Sequence, residues 1–159
     1  MTGSYQLDQG VFGSTITISS EGREVGQLTG SAWSQSKTGM LNDKKYLFEI
    51  SGFFRQEATV ISPDDRSIVG KIDFNSWHTK GQITIGDRTY QWSYKDIFNT
   101  KWEVMDGAIP VMQGKFSLSK GEVTSELADE LLVLSGVFIA NFYLQSMIAI
   151  FVLLFIVMI

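Results

Sequence analysis

The chain has 159 residues, of which 13 are basic and 17 acidic, and its formal net charge is −4. A mildly acidic chain with no basic run argues against nonspecific nucleic-acid binding, so no nucleic-acid partner is expected. The absence of cysteine excludes disulfides, thiolate nucleophiles and iron–sulfur clusters, and no cofactor is expected. The length suffices for one domain with a hydrophobic core.

The first half of the chain predicts short β-strands separated by turns. Residues 1–14 are rich in Gly and Ser and are expected to be loose, and residues 39–44 are expected to form a loop. Strands are predicted where β-branched and aromatic residues alternate with polar ones, at 15–19, 23–30, 32–33, 45–51, 57–61 and 67–74.

The second half carries the clearest strand signals. Gly86-Asp87 and Asp106-Gly107 are hairpin dipeptides, and residues 90–94 alternate strictly between aromatic and polar side chains. Further strands are predicted at 82–85, 88–94, 101–105, 108–114, 116–118 and 121–124. Residues 1–125 are therefore predicted to form a mainly β domain, an antiparallel meander of 10–12 short strands closed into a barrel or packed as a sandwich.

Residues 126–159 predict one long hydrophobic α-helix. Residues 131–159 carry no charge, and 24 of these 29 are apolar or aromatic. Thr124 or Ser125 is the predicted N-cap, with Glu126, Asp129 and Glu130 in the first turns. At about 1.5 Å per residue the apolar stretch would extend roughly 43 Å, whereas a bilayer core needs only about 20 residues.

Polar residues in the first 16 positions of this stretch complicate a simple membrane span. They lie on one side of the helix, and they are Ser135, Asn141, Gln145 and Ser146. Residues 147–159 are uniformly apolar and cover only about 20 Å, less than a hydrocarbon core of about 30 Å. Either the first half packs on protein and the second half meets lipid or another chain, or the helix is an ordinary membrane anchor. Complete burial in protein is a third possibility.

The residues expected to contact the membrane or the barrel core are Leu131, Val137, Phe138, Phe142, Phe151, Leu154 and Phe155. If residues 147–159 meet another copy of the chain, they would mediate an oligomer. In either case the exposed segment needs a cover, because an apolar surface of this size is not tolerated in water.

Four stretches carry a resemblance to a known superfamily: the hairpin at 19–30, residues 58–72, the strand pair within 85–107, and the apolar stretch at 128–145. In these the chain resembles the tubby-like, LURP-one-related and phospholipid-scramblase-like domains. The resemblance implies a twelve-stranded barrel filled by the C-terminal helix, roughly residues 127–143. It also implies that Asn141, Gln145 and Ser146 lie at the far mouth, and that residues 147–159 emerge as an additional segment.

The functional sites of that superfamily do not transfer to this chain. There is no cysteine for the lipidation of scramblases, and no acidic cluster matches their calcium site. Lys44, Lys45 and Arg55 could belong to a phosphoinositide pocket, but they match no motif.

Catalytic signals are also weak. His78 is the only histidine and has no motif around it, and Asp64-Asp65 follow Ser62-Pro63 in what reads as a turn. The aromatic residues Trp33, Trp77, Trp92, Trp102, Tyr90 and Tyr94 either pack on a sheet face or line a ligand groove.

The sequence therefore predicts a non-enzymatic, membrane-associated β-barrel module that binds membrane lipid or a membrane protein and is held by its C-terminal helix. The polar domain is expected in the cytoplasm, because no signal peptide is visible at the N-terminus. The alternative is a soluble tubby-like binding or scaffold barrel whose hydrophobic helix is wholly buried.

Overall fold

A computed structural model describes residues 3–9, 14–30, 36–51, 57–75, 79–117 and 119–159. Within these ranges the chain forms twelve β-strands and then one α-helix. The strands are β1 Gly3–Gln9, β2 Thr15–Ser20, β3 Arg23–Thr29, β4 Lys37–Leu41, β5 Lys44–Ser51, β6 Glu57–Ile61, β7 Ile68–Phe74, β8 Lys80–Ile85, β9 Arg88–Tyr94, β10 Lys101–Asp106, β11 Ile109–Phe116 and β12 Lys120–Ser125, and the helix is α1 Glu130–Met158. The strand predicted at 32–33 lies outside the described residues, as do Arg55, Trp77 and His78.

The twelve strands form one closed antiparallel barrel. Each strand pairs with its neighbours in sequence, and β1 closes the barrel against β12, with Gly3 opposite Ser125 and Asp8 opposite Lys120. The predicted mainly β fold, a meander barrel followed by a hydrophobic helix, is confirmed. Closure leaves no unpaired sheet edge, which a sandwich would have retained.

Alternation along the strands sends one set of side chains into the barrel and the other outward. In β9, Tyr90 and Trp92 are buried, whereas Thr89 and Gln91 are exposed. The same period-two pattern recurs in β2 and β6, whose inward residues join a single core. A twelve-stranded barrel is too wide for its own side chains to fill, so a central element has to supply the rest.

Two predictions for the N-terminal third are wrong. Residues 1–14, expected to be loose, contain β1, which pairs with both β12 and β2. The loop expected at 39–44 is instead the end of β4, a two-residue turn and the start of β5. Asn42 and Asp43 make that turn with φ values of 50° and 67°, a left-handed conformation that Asn and Asp tolerate.

The turn at Gly86-Asp87 is confirmed, whereas the second turn is Gly107-Ala108, one residue later than the predicted Asp106-Gly107, because Asp106 ends β10 and pairs with Ile109. Gly86 has φ of 62° and joins β8 to β9, and Gly107 has φ of 60° and joins β10 to β11. The predicted N-cap was placed too early, since β12 continues to Ser125. The N-cap is Asp129, whose side chain accepts a hydrogen bond from the Leu132 amide at 3.0 Å.

The barrel has two ends, which we call the base and the mouth. At the base α1 begins, and Glu130 pairs with Lys44 at 3.3 Å. At the mouth α1 leaves the barrel beside the β7–β8 connection at Asn75 and the β9–β10 connection, residues 95–100. Because the strands are antiparallel and consecutive, β2, β4, β6, β8, β10 and β12 all begin at the mouth.

Candidate functional site

The first half of α1 fills the barrel. Every residue from 131 to 143 is buried, so the helix is enclosed on all sides over this length. Phe138 stacks on Phe48 of β5 with ring centroids 4.8 Å apart, and Phe142 stacks on Phe74 of β7 at 4.3 Å. These contacts connect the helix to two strands of the wall that are separated only by β6, and they place it in the barrel's core.

Two tryptophans from neighbouring strands pack against the helix backbone. Trp92 donates its indole N–H to the Gly136 carbonyl at 3.2 Å, and Trp102 stacks on Trp92 at 5.8 Å. A side chain at Gly136 would meet Trp102 at 3.0 Å, so glycine permits this close approach. Trp92 and Trp102 are fully buried and belong to the core, as does Tyr90, which favours packing as their role, although Trp102 also borders a groove on the outer wall.

Tyr143 fixes the helix at the mouth. Its hydroxyl donates a hydrogen bond to the Lys80 carbonyl and accepts one from the Asn75 amide at 3.3 Å. Its ring also meets Tyr94 at 6.3 Å, and burial raises the pKa of Tyr94 to about 12. The last buried residue of α1 is therefore tied to the strands β7, β8 and β9.

Some polar groups are enclosed without a partner. Within the described residues, the side-chain amide nitrogen and oxygen of Asn141 have no hydrogen-bond partner, and neither does the hydroxyl of Ser135. Asn141 was expected at the mouth but is 1% exposed, inside the barrel. Gln145 and Ser146 are half-buried at the mouth, where Ser146 donates to the Phe142 carbonyl at 2.8 Å.

Lys37 is another buried polar residue, and it lies near the mouth. It begins β4, points into the barrel and is 6% exposed, and burial lowers its pKa. No ion pair to Lys37 occurs in the described part of the chain. Its position places a buried amine under the rim from which α1 emerges.

The second half of α1 extends beyond the barrel. Residues 148–159 are all exposed, and the large side chains among them are 42% to 90% exposed. At about 1.5 Å per residue these twelve residues reach about 18 Å. Exposure on every side means that no wall of the barrel covers this segment, and none of its side chains is polar.

The structure divides the predicted contact residues between these two environments. Leu131, Val137, Phe138 and Phe142 lie inside the barrel. Phe151, Leu154 and Phe155 lie in the emerging segment, where they are 64%, 54% and 67% exposed. One described helix, Glu130–Met158, is thus long and apolar enough to cross a membrane, although a buried core helix would pass the same test.

A loop beside the helix exit was not singled out from the sequence. Residues 95–100 connect β9 to β10, and Ile97 and Phe98 at its tip are 90% and 77% exposed. Asp96 organises the loop, because its carboxylate accepts hydrogen bonds from the Thr100 amide at 2.9 Å and the Lys101 amide at 3.1 Å. An apolar pair between turn-forming Asp96 and Asn99 was the available signal.

The two ends of the barrel differ in charge. Each of the five strand-to-strand turns at the base contains or adjoins an acidic residue, represented by Glu21, Asp43, Asp64, Asp87 and Asp106. At the mouth, four of the six strands that begin there start with lysine: Lys37, Lys80, Lys101 and Lys120. The base turns also contain or adjoin Arg23, Lys44, Arg66 and Arg88, so both signs of charge occur at the base, whereas lysine predominates among the first residues of the strands that begin at the mouth.

The other described polar residues singled out from the sequence lie in or beside turns or ion pairs at the base. Asp65 accepts hydrogen bonds from the Ser67 amide and hydroxyl, which makes the pair at 64–65 part of a turn. Lys44 lies at the base in its ion pair with Glu130, and Lys45 is exposed beside it. Among the described residues, no group of three or more His, Asp or Glu side chains could hold a metal ion.

A groove of about 580 Å³ lies on the outer wall over β10, β11 and β12. Lys115 and Glu122 on its lining form an ion pair at 3.6 Å, and both are well exposed. This ion pair joins directly opposed residues of β11 and β12, an arrangement typical of a solvated sheet surface. The large exposed apolar surfaces of the emerging helix and of the adjacent loop at the mouth are therefore the strongest candidates for a binding site.

Comparison with known proteins identifies no relative: no protein-family model, no curated protein and no solved structure matches this chain.

Proposed function

We propose that the protein is a non-enzymatic β-barrel module that associates with a membrane through the second half of α1 and binds membrane lipid or a membrane protein there. The observation that carries the proposal is the exposure of residues 148–159, which are apolar on every side. A helix that is apolar all round is stable in hydrocarbon or in a protein interior.

The length and composition of the emerging segment suit lipid. Twelve residues reach about 18 Å, which exceeds the thickness of one leaflet of a hydrocarbon core of about 30 Å. Each large aliphatic or aromatic side chain moved out of water contributes about 1.5–3 kcal/mol. The helical backbone satisfies its own hydrogen bonds, so this segment enters lipid without exposing unpaired amides.

The barrel holds the other end of the anchoring helix in place. Tyr143 and the stacked pair of Phe142 and Phe74 hold the helix in the wall at the point where the exposed segment begins. The membrane segment is therefore firmly attached to the folded barrel. Glu130 is the only charged residue of α1, and it lies at the base. The part of the helix that leaves the mouth can therefore enter an apolar phase without burying a charge.

We further propose that the chain is a distant relative of the tubby-like, LURP-one-related and scramblase-like domains. A closed twelve-stranded meander with a helix through its centre is the arrangement that this resemblance implies. The polar domain is placed on the cytoplasmic side as part of the same proposal.

A second candidate is a soluble binding or scaffold barrel. It is favoured by the burial of residues 131–143, because that half of the helix owes its apolar composition to the barrel and not to a membrane. The exposed half would then be covered by a second copy of the chain through residues 147–159. This candidate predicts a lipid-independent oligomer.

Flotation on liposomes distinguishes the two. The full chain should float with phosphatidylcholine vesicles and resist an alkaline carbonate wash. A variant truncated after Ser146 should stay at the bottom of the gradient and keep the near-ultraviolet circular dichroism of its buried tryptophans. A full chain that stays in the aqueous phase as a defined oligomer would contradict the membrane proposal and support the second candidate.

A further inference from the structure

Resting on the proposed function, we infer that the barrel sits with its mouth against the bilayer, and that Ile97 and Phe98 enter the lipid beside α1 as a second, separate contact. The ligand of this surface is the bilayer itself: the acyl-chain boundary for the two apolar side chains, and headgroup phosphates for the lysines around them.

The β9–β10 loop lies next to the helix exit. Tyr94, the last residue of β9, contacts Tyr143 through their rings, and its amide donates to the Thr79 carbonyl at 3.2 Å. The loop begins with the next residue, Lys95, whose amide bonds the Lys101 carbonyl at 2.8 Å. The loop therefore rises from the same rim as the emerging helix, and a membrane reached by the helix lies in front of the loop.

The loop presents its apolar pair in a fixed form. Thr100 donates from both its amide and its hydroxyl to the Asp96 carboxylate, and Asn99 adopts a φ of 55° that reverses the chain. The hydrogen bond from the Thr100 hydroxyl holds the pKa of Asp96 below its ordinary value, so the carboxylate stays charged as an acceptor. Ile97 and Phe98 are thereby held outward with no protein surface over them.

The charges favour the same orientation. Lys80, Lys101 and Lys120 are exposed at the mouth, and no ion pair to them occurs among the described residues. Glu57, the acidic residue that begins β6 at the mouth, is paired with Lys71 at 3.1 Å. Because these three lysines have no ion pair in the described part of the chain, anionic lipid headgroups attract the mouth.

Two exposed isoleucines at the base provide the matched control. Ile68 and Ile109 are 71% and 67% exposed, and they begin β7 and β11, which start at the base. They resemble Ile97 in side chain and exposure but face away from the membrane in the inferred orientation. A general stickiness of exposed isoleucine would affect both ends alike.

The test uses single cysteines, since the chain has none of its own. A polarity-sensitive fluorophore is attached to Phe98→Cys, Ile109→Cys or Leu154→Cys in the full chain, reconstituted in vesicles of phosphatidylcholine with phosphatidylserine. Nitroxide-labelled lipids then report contact by quenching. We expect quenching and a blue shift at position 98, and none at position 109. Adding Ile97→Asp to the Phe98→Cys protein should abolish most of the quenching, whereas adding Ile68→Asp should not.

Position 154 separates this inference from the proposed function. Quenching at 154 without quenching at 98 would overturn the inference and leave the membrane anchor in place. No quenching at either position would overturn both. A fluorophore at 98 that is shielded from water but not quenched by lipid would mean that a protein covers the loop, which also overturns the inference.

Discussion

The two halves of α1 have nearly the same chemistry and opposite surroundings. Residues 131–143 are enclosed by twelve strands, and residues 148–158 of the same uninterrupted helix have no cover. Neither half contains a charged side chain. Apolar composition therefore indicates only that a helix avoids water. The height of the surrounding barrel determines which part of the helix is buried in protein and which part needs another apolar environment.

The boundary between the halves coincides with the residues that hold the helix. Tyr143 bonds the β7 and β8 strands at the mouth, and the polar residues Gln145 and Ser146 follow where the wall ends. This order is what a helix passing from a protein interior through a polar interface into lipid would need.

The largest difference is expected from two phenylalanines of the same helix. Phe138→Ala should lower the free energy of unfolding by about 3–5 kcal/mol, because Phe138 is 0% exposed and stacks on Phe48. Phe155→Ala should change it by less than about 0.5 kcal/mol, since Phe155 touches no wall. Urea unfolding in a mild detergent, followed by tryptophan fluorescence, measures both. Equal losses would mean that the two halves share one environment.

A smaller effect of opposite sign is expected inside the barrel at Asn141. Asn141→Leu should raise the free energy of unfolding by about 1–3 kcal/mol, because it removes a buried amide that has no partner and keeps a similar branched shape. Gln145→Leu at the mouth is the control and should change stability by less than about 0.5 kcal/mol. A marked destabilisation by Asn141→Leu would reveal that the amide binds a buried water or ligand.

The smallest effect is expected at the boundary and depends on pH. Burial raises the pKa of Tyr94 from 10.0 to about 12, so the folded state disfavours its ionised form. Its contribution to stability is full below pH 10 and is lost as the pH rises through about 12. A shift of two pKa units corresponds to about 2.7 kcal/mol, and partial exposure of Tyr94 reduces this value. Between these pH values the free energy of unfolding of Tyr94→Phe in urea should therefore fall by about 1 kcal/mol less than that of the unsubstituted chain. Parallel losses for the two chains would contradict the assigned burial of Tyr94.

Local sequence signals were sufficient for most of the barrel. Gly86 and Gly107 have the positive φ that their dipeptides predict, and the aromatic alternation at 90–94 matches the inward and outward faces of β9. What local signals missed is β1, whose register depends on β12 more than 100 residues away. Its inward set contains only Tyr5 and Leu7 as large apolar residues, too few to stand out.

β4 and the helix cap were missed for related reasons. Lys37 and Gly39 weaken a strand pattern, and tertiary packing explains Gly39, since a Cβ there would meet Phe48 of β5 at 3.0 Å and Leu134 of α1 at 3.3 Å. Thr124 and Ser125 have cap chemistry but are held in β12 by pairing with β1 and β11. The point where burial of α1 ends could not be read from its sequence, because the length of the wall sets it.

Photocrosslinking from the two halves of α1 tests the central claim most directly. A diazirine analogue of leucine is placed at Leu134, which faces Gly39 of β4, or at Leu154, which is exposed, and the full chain is reconstituted in vesicles. The account predicts an internal crosslink to a peptide containing β4 from position 134 and a phospholipid adduct from position 154. Phospholipid adducts from position 134 would show that the helix leaves the barrel, and only protein adducts from position 154 would show that a chain, not lipid, covers it; either result would contradict the account.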